Sequence, residues 1–176
     1  AQKFSSEIIV ETYFQNGIEA RYFVIEGKCV AVNSRMPPIV VGNGVDTIEG
    51  LVNKKNKLRV QCNPTRKNAP ILLDKHRTNL LEEQGLTPQS IPAKGERILI
   101  DWKAGISTGG DSENITDFVH ASMKEVAEKI GLAMPGLDVI GVDILAHDHR
   151  NAATKDNYIV IEANTRPGTR GHVFPD

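Results

Sequence analysis

The sequence is short of cysteine: it has two, Cys29 and Cys62. Their separation matches neither a disulfide framework nor a C-x-x-C redox or metal pair, which argues for a reducing compartment, the cytoplasm. No apolar run approaches the roughly 20 residues of a membrane span, and the amino terminus carries no signal-peptide pattern, so no membrane partner is expected. A formal net charge of -1 supplies no broad field for nucleic acid or an anionic surface, and any phosphate must be held locally. Internal repeats and low-complexity linkers are also missing. With no initiator methionine and an apolar run from Ile8 to Val10 almost at once, the chain reads as a piece of something longer.

What remains is an ordinary globular composition, 40% hydrophobic and 24% charged over 176 residues, enough for a single domain with a real core. Two β-rich runs, Ile8 to Phe14 and Arg21 to Ile25, flank the turn-forming Gln15-Asn16-Gly17. A second hairpin is expected over Glu26-Gly27-Lys28, joining Tyr22-Ile25 to Cys29-Val32. Val40 to Gly44 reads as a loop, and the Asp46 to Glu49 spacing resembles a capping box for a short helix ending near Asn56. Residues 57–95 carry the weakest pattern and are expected to be peripheral, with a helix end at Gly85. Arg97 to Trp102 reads as a strand and Gly105 to Asn114 as a loop. Thr116 and Asp117 supply candidate N-caps for a helix through Val119, Met123, Val126, Ala127 and Ile130, ending at Gly131. Two apolar strands, Leu137 to Leu145 and Tyr158 to Ala163, close the chain across the polar stretch His147 to Asn157. This order predicts an α+β fold, an antiparallel sheet flanked by helices.

The sharpest chemistry lies at the strand ends. Residues two apart on a strand share a face, so Glu162 and Asn164 point one way, and Asp143 joins them if its strand pairs with theirs. Mg²⁺ takes a few hard oxygen ligands and completes its octahedron with water and substrate phosphate, which these three side chains suit. The bland alternative is solvent-side polar residues on half-buried strands; against it stand the apolar surroundings of both acids and the Arg166-Pro167-Gly168 that follows at once.

Ser107-Thr108-Gly109-Gly110 can offer backbone N–H groups and two hydroxyls to an anion, or can be a surface turn. Arg21 and Arg35, in the strand meander, are candidates to clamp a carboxylate or phosphate bidentately, with surface salt bridging as the alternative. His172 suits a substrate contact better than a metal ligand, having no second histidine at ligand spacing. His147 and His149 read as members of a solvated loop.

These pieces together resemble a family. Ile9-Val10-Glu11 through Gly17, Glu19-Ala20-Arg21, Arg35-Met36-Pro37 and Val40 to Ile48 resemble ATP-grasp ligases, in particular cyanophycin synthetases and the ligase half of bifunctional glutathione synthetases. Gln84-Gly85-Leu86, Ile91 to Glu96, Ile106 to Asp111, Thr116-Asp117, His120, Gly141-Val142-Asp143 and Glu162-Ala163-Asn164 through His172 continue the match in order, covering nearly the whole chain from about residue 7. Asn43 and Gly105 depart from the usual Asp and Asn, and the ending also resembles N-acetylglutaminylglutamine amide synthetases, so the substrate stays open.

The resemblance implies the carboxy-terminal subdomain of an ATP-grasp module, residues 1–176, without the amino-terminal ATP-binding subdomain. It implies that Glu11 and the backbone around Tyr13 and Phe14 meet adenine, and that Glu19 meets the ribose. Asp143, Glu162 and Asn164 would hold Mg²⁺, or Mn²⁺ in its place. Arg21, Arg35, Ser107, Thr108, Gly109 and Gly110 would serve the transferring phosphate and the acid, with Arg166 and His172 on substrate. The implied reaction joins a carboxylate to an amine through an acyl phosphate made from ATP. The expected partners are those small-molecule or peptide substrates, the missing subdomain and a second copy of the chain, with no nucleic acid and no membrane. The competing reading is a non-catalytic binding or structural module that retains the scaffold.

Overall fold

Alternation along one strand organises the molecule. In β1 (Ile18–Ile25), Ala20, Tyr22 and Val24 are buried, while Glu19 and Arg21 between them face the other way. A computed structural model describes residue 10, residues 13–64 and 69–169, and residue 172, with the side chain of Ser107 left out. The expected hairpin arm from Ile8 and the proposed adenine residue Glu11 lie outside the described residues.

After β1 the chain turns at Glu26-Gly27 into β2 (Lys28–Met36), then runs through β3 (Ile39–Val41), α1 (Ile48–Cys62), α2 (Lys75–Glu83) and β4 (Arg97–Leu99). It continues through β5 (Asp111–Asn114), α3 (Ala121–Leu132), β6 (Val139–Ala146) and β7 (Tyr158–Asn164). The main sheet has the antiparallel order β5-β2-β1-β6-β7. Its even face packs on α3: Ala20, Tyr22, Val24, Val32, Ile140, Val142 and Ile144 meet Met123 and Ala127. Burial of each larger side chain contributes about 1.5–3 kcal/mol, which makes this layer the main source of stability. The fold is therefore α+β, an antiparallel sheet with three α-helices among the described residues.

A helical lobe is inserted between β2 and β5, with its own core of Val40, Ile48, Val52, Ile71, Leu81, Ile98 and Ile100 around the β3–β4 pair. Here the structure corrects the sequence reading. α1 is capped by Thr47, whose hydroxyl accepts from Gly50 N–H, and runs to Cys62 rather than Asn56. Its inward side is polar beyond Val52: Lys55 donates to the Ile39 carbonyl, Asn56 exchanges two hydrogen bonds with the Ile71 backbone, and Arg59 is buried. No apolar stripe therefore marks it. Residues 57–95, expected to be peripheral, bury Ile71, Arg77, Leu80 and Leu81. Val40 belongs to a strand, and the expected 105–114 loop ends in β5.

α3 starts at Ala121, with His120 as N-cap, because Thr116 is engaged elsewhere: its hydroxyl accepts the Val32 N–H at 2.9 Å. Among the described residues no helix is long and apolar enough to cross a membrane.

His149 is not in a solvated loop. It is 3% exposed, with Nε2 2.8 Å from the Ile18 carbonyl and Nδ1 2.8 Å from the Tyr22 hydroxyl. A carbonyl only accepts, so Nε2 carries the proton and Nδ1 receives the Tyr22 O–H, which fixes the neutral tautomer. Burial is the main cause that lowers its pKa below the usual 6.5, opposed by the Ile18 hydrogen bond and Asp148. With the folded pKa depressed, the unfolded chain takes up the proton first, so stability from His149 is complete above 6.5 and is lost as pH falls below it. The urea midpoint is expected to drop from pH 7 to pH 5. His149→Phe should start lower by about 1–3 kcal/mol, because Tyr22 loses its acceptor, and should show a shallower pH slope. Equal slopes in the two proteins would rule His149 out as the titrating group.

Candidate active site

The odd positions of β1 set a charged face on the side of the sheet away from α3. Register determines what each meets: Glu19 lies opposite Arg35, Arg21 opposite Asn33 and Asp143, and Asp143 opposite Glu162. Four neighbouring strands thus contribute to one row. Arg21 Nε and Nη2 donate to the two oxygens of Asp143 at 2.6 and 2.5 Å, a bidentate fork. Arg35 Nη1 donates to Glu19 at 2.6 Å and lies 3.3 Å from Asp143.

β7 reaches this row through a bulge. Asp143 pairs with Glu162, yet the next residue, Ile144, pairs with Val160, so Ile161 is the extra residue. In a regular strand Glu162, two residues after Val160, would share the face of Val160 and Ile144; the bulge re-aims it at Asp143. Asn164 Nδ2 then donates to Glu162 at 2.8 Å and lies 3.4 Å from Asp143, and Glu162 stands 3.8 Å from Arg21 Nη2. Asp143, Glu162 and Asn164 are therefore brought together on one face.

Their chemistry suits a hard cation. Two guanidiniums face the three carboxylates of Glu19, Asp143 and Glu162, and Glu162, the most exposed of these, has the weakest pairing. Two carboxylates and an amide that can turn its oxygen inward are a partial oxygen set of the kind Mg²⁺ accepts while keeping water and phosphate. Among the described residues there is no group of three His, Cys, Asp or Glu able to hold a metal, so a cation here would depend on Asn164 and on ligands from outside the protein.

The remaining candidates are spread more widely. Tyr13 is exposed, whereas Phe14 stacks on His147 with ring centroids 4.4 Å apart. Glu19 is held by Arg35, and Arg166 is exposed. His172 lies 5.1 Å from the Phe23 ring, and burial, then Arg21 and Arg35, lower its pKa to about 4 against the opposing effect of Asp143. It is a neutral imidazole at pH 7. The Ser107–Gly110 turn does not present its amides as expected: the N–H groups of Thr108, Gly109 and Gly110 donate to the carbonyls of Gly105, Ile106 and Gly105. The Thr108 hydroxyl also donates to Gly105, at 2.8 Å. A tight turn closes on itself, and these donors are used in doing so.

Sequence reasoning gave no role of their own to Phe23, Asn33 and Gly141, which share this face. The alternation Glu19, Arg21, Phe23 was the available signal for the first. Gly141 was not legible, because its requirement comes from a neighbour 26 positions away in the chain: a Cβ there would come within 2.7 Å of Pro167 Cβ and 3.3 Å of Arg21 Cδ.

The antiparallel sheet with its helices matches the fold of an ATP-grasp neighbour, and the comparisons say which proteins the chain resembles. It is 40% identical over 176 residues to a glutathione biosynthesis bifunctional protein from Clostridium perfringens, covering 97% of this chain and 22% of that protein. It is 35% identical over 181 residues to a cyanophycin synthetase from Trichormus variabilis, covering 99% of this chain and 19% of the relative. A crystal structure of a bifunctional glutathione synthetase from Pasteurella multocida superimposes with a TM-score of 0.79 at 38% identity, over 92% of this chain and 22% of that one. No family model matches. The chain is thus a homologue of bifunctional glutathione biosynthesis proteins and cyanophycin synthetases, spanning about a fifth of their length.

Gly141→Ala is expected to lift the Asn164–Gly168 stretch off β6 at a cost of about 1–3 kcal/mol, the usual range for overpacking. Hydrogen exchange should quicken at residues 164–168 while the α3 amides hold. Unchanged exchange in that stretch would show that Pro167 yields without effort.

Proposed function

We propose that this chain is the metal- and substrate-binding part of an ATP-dependent ligase that joins a carboxylate to an amine through an acyl phosphate. The observation that carries the reading is the convergence of Arg21, Arg35, Asp143, Glu162 and Asn164 on one sheet face, in a chain homologous to two kinds of biosynthetic protein. The reading includes a further subdomain of the same polypeptide that closes over the nucleotide, small-molecule or peptide substrates, and the cytoplasm as the place of work.

In this reading Asp143, Glu162 and Asn164 would hold Mg²⁺, which would supply charge neutralisation at the phosphates of ATP. Arg21 holds both oxygens of Asp143 in a fork whose geometry would equally suit an oxyanion. Arg35 lies between Glu19 and Asp143 and balances the acidic end of the row. His172, neutral and beside both arginines, can accept a hydrogen bond without adding charge. Catalysis of this type is alignment and charge neutralisation more than covalent chemistry, and removal of one such contact costs on the order of a hundredfold to a thousandfold in rate.

The second reading, a binding module without catalysis, draws on the same fork: both oxygens of Asp143 are already taken by Arg21, so that carboxylate is compensated with no metal. Titration separates the two. Under the ligase reading the purified chain binds ATP weakly, only with Mg²⁺ or Mn²⁺, and Glu162→Gln removes the metal dependence; ATP binding indifferent to metal favours the module.

In the intact polypeptide Glu162→Gln should abolish ligation, by on the order of a thousandfold or more, with a melting temperature within a few degrees of the parent. Glutamine keeps the acceptor for Asn164 and relieves repulsion with Asp143, so folding has little to lose. Retained activity, or a large fall in melting temperature, would make Glu162 a structural residue.

A further inference from the structure

The turn at residues 105–110 uses its own donors to close, yet it feeds directly into β5, where Ser112 pairs with Arg35. We propose that Arg59 and Arg77, two buried arginines of the helical lobe, are positioning residues that clamp this turn by its carbonyl oxygens and so set where Ser107 and the Arg35 end of the charged face stand relative to each other. The consequence for turnover rests on the ligase reading above; the clamp itself rests on geometry.

Arg77, on α2 and 6% exposed, divides one guanidinium among three separate acceptors. Nε donates to Asp101 at 2.9 Å, Nη1 to the Leu72 carbonyl at 2.7 Å and Nη2 to the Thr108 carbonyl at 2.5 Å. Arg59, in the last turn of α1 and also 6% exposed, donates from Nη2 to the Gly110 carbonyl at 2.5 Å. The two captured carbonyls flank Gly109, whose φ is +99°, so the left-handed residue is held from both sides. Residue 110 also admits no side chain, since a Cβ there would lie 2.3 Å from the Ala104 carbonyl oxygen. One turn earlier on α1, Lys55 binds Asp111 at 2.6 Å, the first residue of β5. Two helices therefore hold three positions of a single four-residue stretch, Thr108 to Asp111.

Stability alone is a poor reason for this arrangement. Buried ion pairs such as Arg77–Asp101 are often matched or bettered by apolar residues of similar volume, so what they retain is a fixed geometry. Among the described residues the lobe core already has seven buried apolar side chains without either arginine. A lysine could not replace Arg77, because one ammonium on a flexible stem cannot span a carboxylate and two carbonyls held apart.

The test uses Arg77→Met, Arg77→Lys and Arg59→Met, read by amide exchange in this chain and by kcat and KM in the polypeptide that carries it. Exchange at Gly109 and Gly110 should accelerate about tenfold or more in all three, with Met123 and Val142 unchanged. Turnover should fall about tenfold or more with KM for ATP shifted less than about threefold, and Lys should not rescue Arg77. If Arg77→Met also loses protection at Val52 and Ile98, Arg77→Gln and Arg59→Gln, which keep shorter donors, are read instead. Unaltered exchange at Gly109 and Gly110 overturns the clamp whatever the protein does. A loosened turn with full turnover overturns its role in positioning. Absence of any turnover in the parent polypeptide with acid, amine and Mg-ATP would instead count against the ligase reading, and the exchange data would then decide the clamp alone.

Discussion

Asp143 is 2% exposed, and a carboxylate that deep in a sheet is tolerated only beside a partner. The partner is Arg21, directly opposite on the next strand, and the fork between them fixes the register of β1 on β6. Everything on the charged face follows from that register. Glu19 meets Arg35 on one side, and Glu162 meets Asp143 on the other. Removing one member of such a pair leaves an uncompensated charge, at a cost of roughly 3–5 kcal/mol, so the pair constrains fold and chemistry together.

The opposite face makes this affordable. Tyr22, Val24, Ile140 and Ile144 pack on α3 and supply the apolar burial, while the charged face adds little net stability of its own. The helical lobe repeats the division on a smaller scale. Its apolar residues hold it together, and its polar residues Asn56, Arg59 and Arg77 reach across to the backbone carbonyls of Ile71, Gly110 and Thr108.

Much of this architecture was legible, and the exceptions share a cause. β1, β2, β6 and β7 announced themselves as β-rich or apolar runs, and the body of α3 by its helical period. α1 did not, since Lys55, Asn56 and Arg59 turn inward to polar partners and break the stripe. His149 read as a loop residue because its neighbours are polar; its burial depends on Tyr22, 127 positions away. In the charged row the individual residues Arg21, Arg35, Asp143 and Glu162 stood out, whereas their pairing did not: a fork between positions 122 apart is a product of register. The turn at 106–110 was visible as a glycine motif, but which way its amides point is decided by a closure no local pattern reports.

The strict alternation of β1 also determines which heritable changes this chain can absorb. A substitution at Glu19 alters chemistry and leaves Ala20, Tyr22 and Val24 in their packing, whereas Arg21 can change only together with its partner Asp143. A single inserted or deleted codon within residues 18–25 has no such latitude: it would turn the arginine and glutamate into the core and the tyrosine and valine out of it. Length variation among descendants of this sequence is therefore confined to the turns and to the inserted lobe, whose two junctions, after β2 and before β5, lie on adjacent strands of the sheet.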